Sequence, residues 1–215
     1  MSSGPIIVFD SGIGGLSIYR PLKRALPHEN IIYFSDPNHF PYGDKSSTWL
    51  SERFTELCQE FSLLSPKLVV LACNSATTNI ISEVRSHLSC PVVGVEPVIK
   101  PLSQFTNSLA LMTKATANSK STLELLKKYG PHVKIFVPTG LAVAIEYNDY
   151  HQVKKSISQI KKTVLKYQCE AVGLSCTHYP LILPLLQEAM PNIKFIDPSE
   201  AVVQEIQRVL KLNQT

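Results

Sequence analysis

Two short stretches about a hundred residues apart carry the same pattern. VVLACNSATT (69–78) and AVGLSCTHYP (171–180) align without a gap: an apolar run, a small residue, a cysteine, then Asn or Thr. Each run reads as a buried strand whose carboxyl end meets a loop. In open α/β sheets, ligands sit beyond such ends. Two of them, one from each half of the chain, would point Cys73 and Cys176 into a common cleft. Taken singly, either cysteine is equally read as a small buried hydrophobe.

Paired thiols narrow the chemistry. A thiol hydrolase needs one nucleophile, one base and an oxyanion hole, not two cysteines. A disulfide oxidoreductase usually carries CxxC. Removing a weakly acidic proton from one face of a carbon and delivering another to the opposite face needs two acid/base groups. They must exchange roles when the reaction reverses, and a thiolate facing a thiol meets that requirement. Each sulfur then needs a helper: Asp10 for Cys73, and His178 for Cys176. His178 lies two residues after Cys176, near an expected helix start, where an imidazole and a helix N-terminus both favour a thiolate.

Asp10 opens FDSGIGGLS (9–17), a strand end followed by a glycine-shaped turn into a helix. Such a turn lets backbone approach an anion. It also partly matches a dinucleotide fingerprint: Gly12-x-Gly14, with Ser17 in place of the third glycine and Asp36 where a ribose-binding acid belongs. A nucleotide-binding protein is therefore the rival reading. SDPNHFPYGDKS (35–46) is a loop on the same sheet edge as Asp10 and Cys73 and reads either as functional or as a plain turn.

The elements that would position these residues alternate. Strands are expected at 5–10, 30–35, 67–72, 91–95, 108–112, 132–137, 171–175 and 193–197. Helices are expected at 15–26, 47–64, 76–88, 118–129, 150–167, 181–190 and 199–211. That order predicts an α/β fold with parallel sheets covered on both faces. The chain has 215 residues, 44% hydrophobic and 18% charged, with a net charge of +4. Its densest basic places, Lys154–Lys155 and Lys161–Lys162, are spaced like the wet face of a helix, so no nucleic-acid partner is expected. The five cysteines, 58, 73, 90, 169 and 176, include no CxxC, which fits reduced thiols in a cytoplasmic protein. Cys58, Cys90 and Cys169 are given no role. Cys176-Thr177-His178 lacks metal-ligand spacing, so no metal is expected. Neither a signal peptide nor a membrane span is expected.

FDSGIGGLS, FPYGDKS, VVLACNSAT and GLSCTHYPLI, in this order, resemble the cofactor-independent glutamate racemases of the aspartate/glutamate racemase family, which serve bacterial cell-wall synthesis. The likeness covers nearly the whole chain. It implies two similar α/β lobes with the active site in the cleft between them, 1–97 plus 198–215 forming the first lobe and 98–197 the second. It implies a small amino-acid substrate, glutamate or else aspartate, with no cofactor, and it leaves a homodimer open. By matching motif, Cys73 and Cys176 would be the acid/base pair, Asp10 and His178 their partners, and Glu146 a further catalytic carboxylate. Ser11, Pro41, Tyr42, Gly43, Asn74, Ser75, Thr113, Thr116 and Thr177 would line the substrate site. Aspartate racemases usually carry Glu where this chain has His178, which favours glutamate. A retired racemase that only binds is a further alternative. Two departures stand out: the chain is shorter than usual for the family, and Ser175 replaces a usual Gly. That added side chain is expected to weaken activity.

Overall fold

A computed structural model describes residues 4–212. The first half runs β1 (Ile6–Asp10), α1 (Leu16–Ala25), β2 (Ile31–Ser35), α2 (Ser47–Leu63), β3 (Leu68–Leu71), α3 (Asn74–His87) and β4 (Val92–Gly94). The second runs α4 (Ile99–Leu102), β5 (Ser108–Met112), α5 (Lys114–Asn118), α6 (Lys120–Tyr129), β6 (Lys134–Phe136), α7 (Leu141–Glu146), α8 (Tyr150–Lys166), β7 (Ala171–Ser175), α9 (Leu183–Ala189) and β8 (Lys194–Ile196). The last described element is α10 (Ser199–Leu212). All eight expected strands form. Three short helices, α4, α5 and α7, lie where no periodic pattern was long enough to announce them.

The strands make two parallel four-stranded sheets, ordered β2-β1-β3-β4 and β6-β5-β7-β8. The two orders are the same, so β3 and β7 are equivalent strands. The echo between the two cysteine stretches is thus an echo of topology.

Each sheet buries both faces, and the period-two alternation of strands sorts its side chains. In the first sheet Ile7, Phe9, Val69 and Leu71 pack against α2 and α3, through Phe54, Leu57, Ile80 and Val84. Ile6, Val8, Leu68 and Val70 face α1 and α10, through Ile18, Leu22, Val203 and Ile206. In the second sheet Leu109, Leu111, Val172 and Leu174 meet α7, α8 and α9. Ala110, Met112 and Ala171 meet α4 and its neighbours. At the two longest helices, a side chain accepts from an otherwise unpaired N–H group at the start. Ser46 caps α2 through Trp49 N–H at 3.1 Å, and Asp149 caps α8 through Gln152 N–H at 3.0 Å.

Candidate active site

The carboxyl ends of β1, β3, β5 and β7 face one cavity of about 350 Å³ between the lobes. That lies at the small end of the ~300–1,000 Å³ usual for small-molecule sites. Cys73 and Cys176 both line it and are only 5% and 6% exposed. Of the expected substrate-lining residues, Ser11, Pro41, Tyr42, Gly43, Asn74, Ser75, Thr113 and Thr177 lie in its wall. Thr116 does not. It is buried behind the wall, with its hydroxyl 2.9 Å from Thr113 Oγ1 and 3.3 Å from Ser75 Oγ. Asp10 and Glu146 are likewise one layer back, in contact with the lining residues Thr177 and His178.

Cys73 stands at the N-cap of α3, where helical N–H groups favour negative charge. Its Sγ is 4.0 Å from Ser11 Oγ. Burial, then the Asp10 carboxylate, push the Cys73 thiol up to about 12, against an opposing pull from Ala76 N–H. Asp10 is fully buried. Its Oδ1 accepts from Thr177 Oγ1 of the second lobe at 3.0 Å, and its Oδ2 accepts from Gly12 N–H at 3.1 Å. Burial raises its pKa, while His178, Gly12 N–H and the Thr177 hydroxyl pull the other way.

Cys176 has a different neighbourhood. Its Sγ is 4.0 Å from His178 Nδ1, and His178 Nε2 is 2.7 Å from Glu146 Oε2. Burial alone would depress the imidazole. Its contacts with Cys176 and Glu146, and the charge of Asp10, outweigh that and hold it up at about 10. Burial likewise opposes the charge on Glu146, but His178 and Ile13 N–H keep this carboxyl below its usual value. One sulfur thus has a cationic neighbour and the other a carboxylate.

The glycines of the first turn are shaped by this arrangement. A Cβ on Gly12 would lie 2.3 Å from Glu146 Oε2, and one on Gly14 2.4 Å from His178 Nδ1. Second-lobe side chains therefore fill the space that a pyrophosphate would need. Asp36 is equally unavailable to a ribose: it accepts from Tyr42 Oη at 2.6 Å and Arg53 Nε at 2.9 Å, and lies 2.9 Å from His39 Nδ1. The nucleotide reading of Gly12, Gly14 and Asp36 is corrected on both counts. What Asp36 does is pin the 36–44 loop so that Tyr42 and Gly43 form cavity wall.

Several lining residues were not among those expected from the sequence. Phe40, whose ring centroid is 5.2 Å from that of His178, comes from the 36–44 loop. Val137, Pro138, Thr139, Gly140 and Val143 come from the turn after β6 and from α7. Lys114 adds a primary amine to the wall, and no ion pair engages it among the described residues. Its place beside Thr113 was the available clue. Asn74 donates Nδ2 to Val95 O at 2.8 Å, which leaves its buried Oδ1 without a partner.

The Asp/Glu/hydantoin racemase family model matches residues 8–206. The chain belongs to that family. Among its members, the glutamate racemase of Pseudomonas paraeruginosa is 36% identical over 217 residues, covering 97% of this chain and 82% of that protein. The glutamate racemase of Pseudomonas syringae pv. tomato is 34% identical, covering 96% and 78%. Solved family structures superpose closely. The Escherichia coli glutamate racemase with L-glutamate and the activator UDP-MurNAc-ala gives a TM-score of 0.84 at 28% identity, covering 97% of this chain and 83% of that one. The Francisella tularensis enzyme with D-glutamate gives 0.85 at 28% identity, covering 100% and 83%. No helix among the described residues is long and apolar enough to cross a membrane.

Proposed function

We propose that this racemase-family chain interconverts L- and D-glutamate, supplying D-glutamate for peptidoglycan. The observation that carries the reading is the pair of thiols at equivalent strand ends lining one small cavity. The substrate is taken from the relatives, which are named glutamate racemases and include structures with L- or D-glutamate bound.

In the proposed reaction Cys176, as thiolate beside the His178 imidazolium, takes the α-proton of one enantiomer. Cys73, as thiol, gives its proton to the opposite face. The product leaves with inverted configuration, Cys176 now a thiol and Cys73 a thiolate, ready for the reverse direction. The unpartnered Asn74 Oδ1 accepts from the substrate ammonium. Ser11, Ser75, Thr113 and Thr177 hydroxyls, with helical N–H groups of α3, hold the carboxylates. Lys114 faces the side-chain carboxylate at the mouth. Exclusion of water by bound substrate strengthens each of these contacts on the developing carbanion.

The lobes belonging to this mechanism are 1–97 plus 198–215 and 98–197. The packing of Val203 and Ile206 of α10 against Ile6 and Ile18 supports assigning the returning segment to the first lobe. Five free cysteines suit a reducing compartment, and we place the enzyme in the cytoplasm.

The test is incubation with L-glutamate, and separately L-aspartate, in D₂O, following optical activity by circular dichroism and the α-proton by NMR. Loss of both signals with glutamate is the expected result. Exchange without inversion would remove one thiol from the mechanism, and silence with both amino acids would leave only binding.

A further inference from the structure

Residues 95–98 carry the chain from the first sheet to the second, and this strap is gripped from both sides. On the first-lobe side, Val95 N–H donates to Leu71 O at 3.1 Å, and Val95 O accepts from Asn74 Nδ2 at 2.8 Å. Asn74 directly follows Cys73. On the second-lobe side, Val98 N–H donates to Ser175 Oγ at 3.1 Å. Ser175 directly precedes Cys176. The immediate neighbours of the two thiols are therefore tied to two backbone groups of one short segment.

The second tie is well built. Ser175 ends β7 and is fully buried. It shares a strand face with Gly173, where an added Cβ would meet Val98 Cγ2 at 2.4 Å, so strand and strap touch. Val98 is the N-cap of α4, and its N–H has no other acceptor among the described residues. Removing the hydroxyl would strand a buried donor, which folded proteins rarely tolerate. The side chain that replaces the family's usual glycine here accepts a hydrogen bond from the backbone that approaches it.

We infer that Ser175 is a positioning residue: its hydroxyl hangs Cys176 from the same strap that holds Cys73, and so sets the separation of the two sulfurs across the cavity. The inference rests on the two-thiol reading and deepens it. A lysine or histidine could be reset by solvent or a rotamer change. Ser175 acts through the backbone of β7, so its loss moves Cys176 without disturbing Cys73, Asp10 or the cavity hydroxyls.

The test uses the full chain, with Ser175→Ala and Ser175→Gly beside wild type. Racemisation of glutamate in both directions gives kcat and KM. Peptide-resolved mass spectrometry of iodoacetamide labelling, without substrate, reports each thiol separately. The expected result is kcat lowered ~10-fold with KM within about twofold, the mark of a misplaced reacting group. Labelling of Cys176 should change several-fold while that of Cys73 stays at the wild-type rate. Unchanged kcat in both variants, or the two thiols shifting together, would overturn the inference. Should the Ala variant fail to fold, the Gly variant, with the residue usual in the family, carries both measurements. Wild-type protein that never exchanges the α-proton of glutamate sinks the racemase reading, while the labelling comparison still decides the role of Ser175.

Discussion

Glu146 and His178 meet at 2.7 Å between Oε2 and Nε2, and the same Glu146 oxygen accepts Ile13 N–H at 2.9 Å. One carboxylate oxygen thus joins the imidazole beside Cys176 to the first turn of the opposite lobe. The contact between the lobes and the charge of His178 therefore share that one atom.

Glu146→Gln keeps the shape and removes the charge. Activity should fall ~10–100-fold, within the range for a group supporting acid/base transfer. The pH dependence of stability should change with it. His178 has a raised folded pKa, so its contribution is complete below 6.5 and is lost as pH rises through about 10. The depressed carboxyl of Glu146 works in the other sense: its contribution is present above 4.5 and is lost as pH falls through its lowered value. Thermal melts of wild type should decline on the alkaline side over that imidazole window, and the Gln variant should show a flatter curve. Parallel curves for the two proteins would rule the coupling out.

Cys73→Ser and Cys176→Ser should each lower racemisation by ~10²–10⁴-fold, the span for losing a positioned acid/base group. A hydroxyl in place of the thiol keeps a polar group at the same position and abolishes useful acidity. Cys58→Ala is the control. Its side chain sits in the core with Phe54 and Phe61, away from the cavity, so it should lose stability and keep kcat. The D₂O exchange assay reads all three.

Gly14→Ala places a methyl 2.4 Å from His178 Nδ1 and 2.5 Å from Thr177 Oγ1. Both belong to the segment that carries Cys176, and a buried ring cannot swing away. A shift near 1 Å should reduce kcat ~10²-fold. Far-UV circular dichroism should stay native, which separates this effect from unfolding.

Lys114→Ala should raise KM for glutamate several-fold and leave kcat within about twofold, as expected for a contact equal in ground and transition states. Added salt should raise the wild-type KM and leave that of the variant nearly flat. A variant with wild-type KM at every ionic strength would remove Lys114 from substrate binding.

The frame of the protein was readable in advance because buried parallel strands are written as near-continuous apolar runs. PIIVFD, KLVVLA and AVGLS each became a strand within a residue or two. Cys73 and Cys176 were legible for the same reason, since strand ends point to the ligand edge. The second ring of the site was not. Whether Asp10 lies in the cavity wall or behind it depends on Thr177 arriving from the other lobe, and no local pattern encodes that. Thr139 and Gly140 enter through a turn with no motif. Asp36 looked like a ribose ligand because strand-end position alone cannot distinguish a free carboxylate from one held by Arg53 and Tyr42.

Both sulfurs are nearly shut off from water, and that has a consequence for turnover. On the proposed mechanism each reaction leaves the protein in the proton state that accepts its own product. A second molecule of the same enantiomer must wait until a proton has passed between solvent and the two sulfurs. The catalyst therefore keeps a memory of the last hand it processed. At high substrate concentration, forgetting becomes the slow event, and net flux follows how fast the empty protein resets.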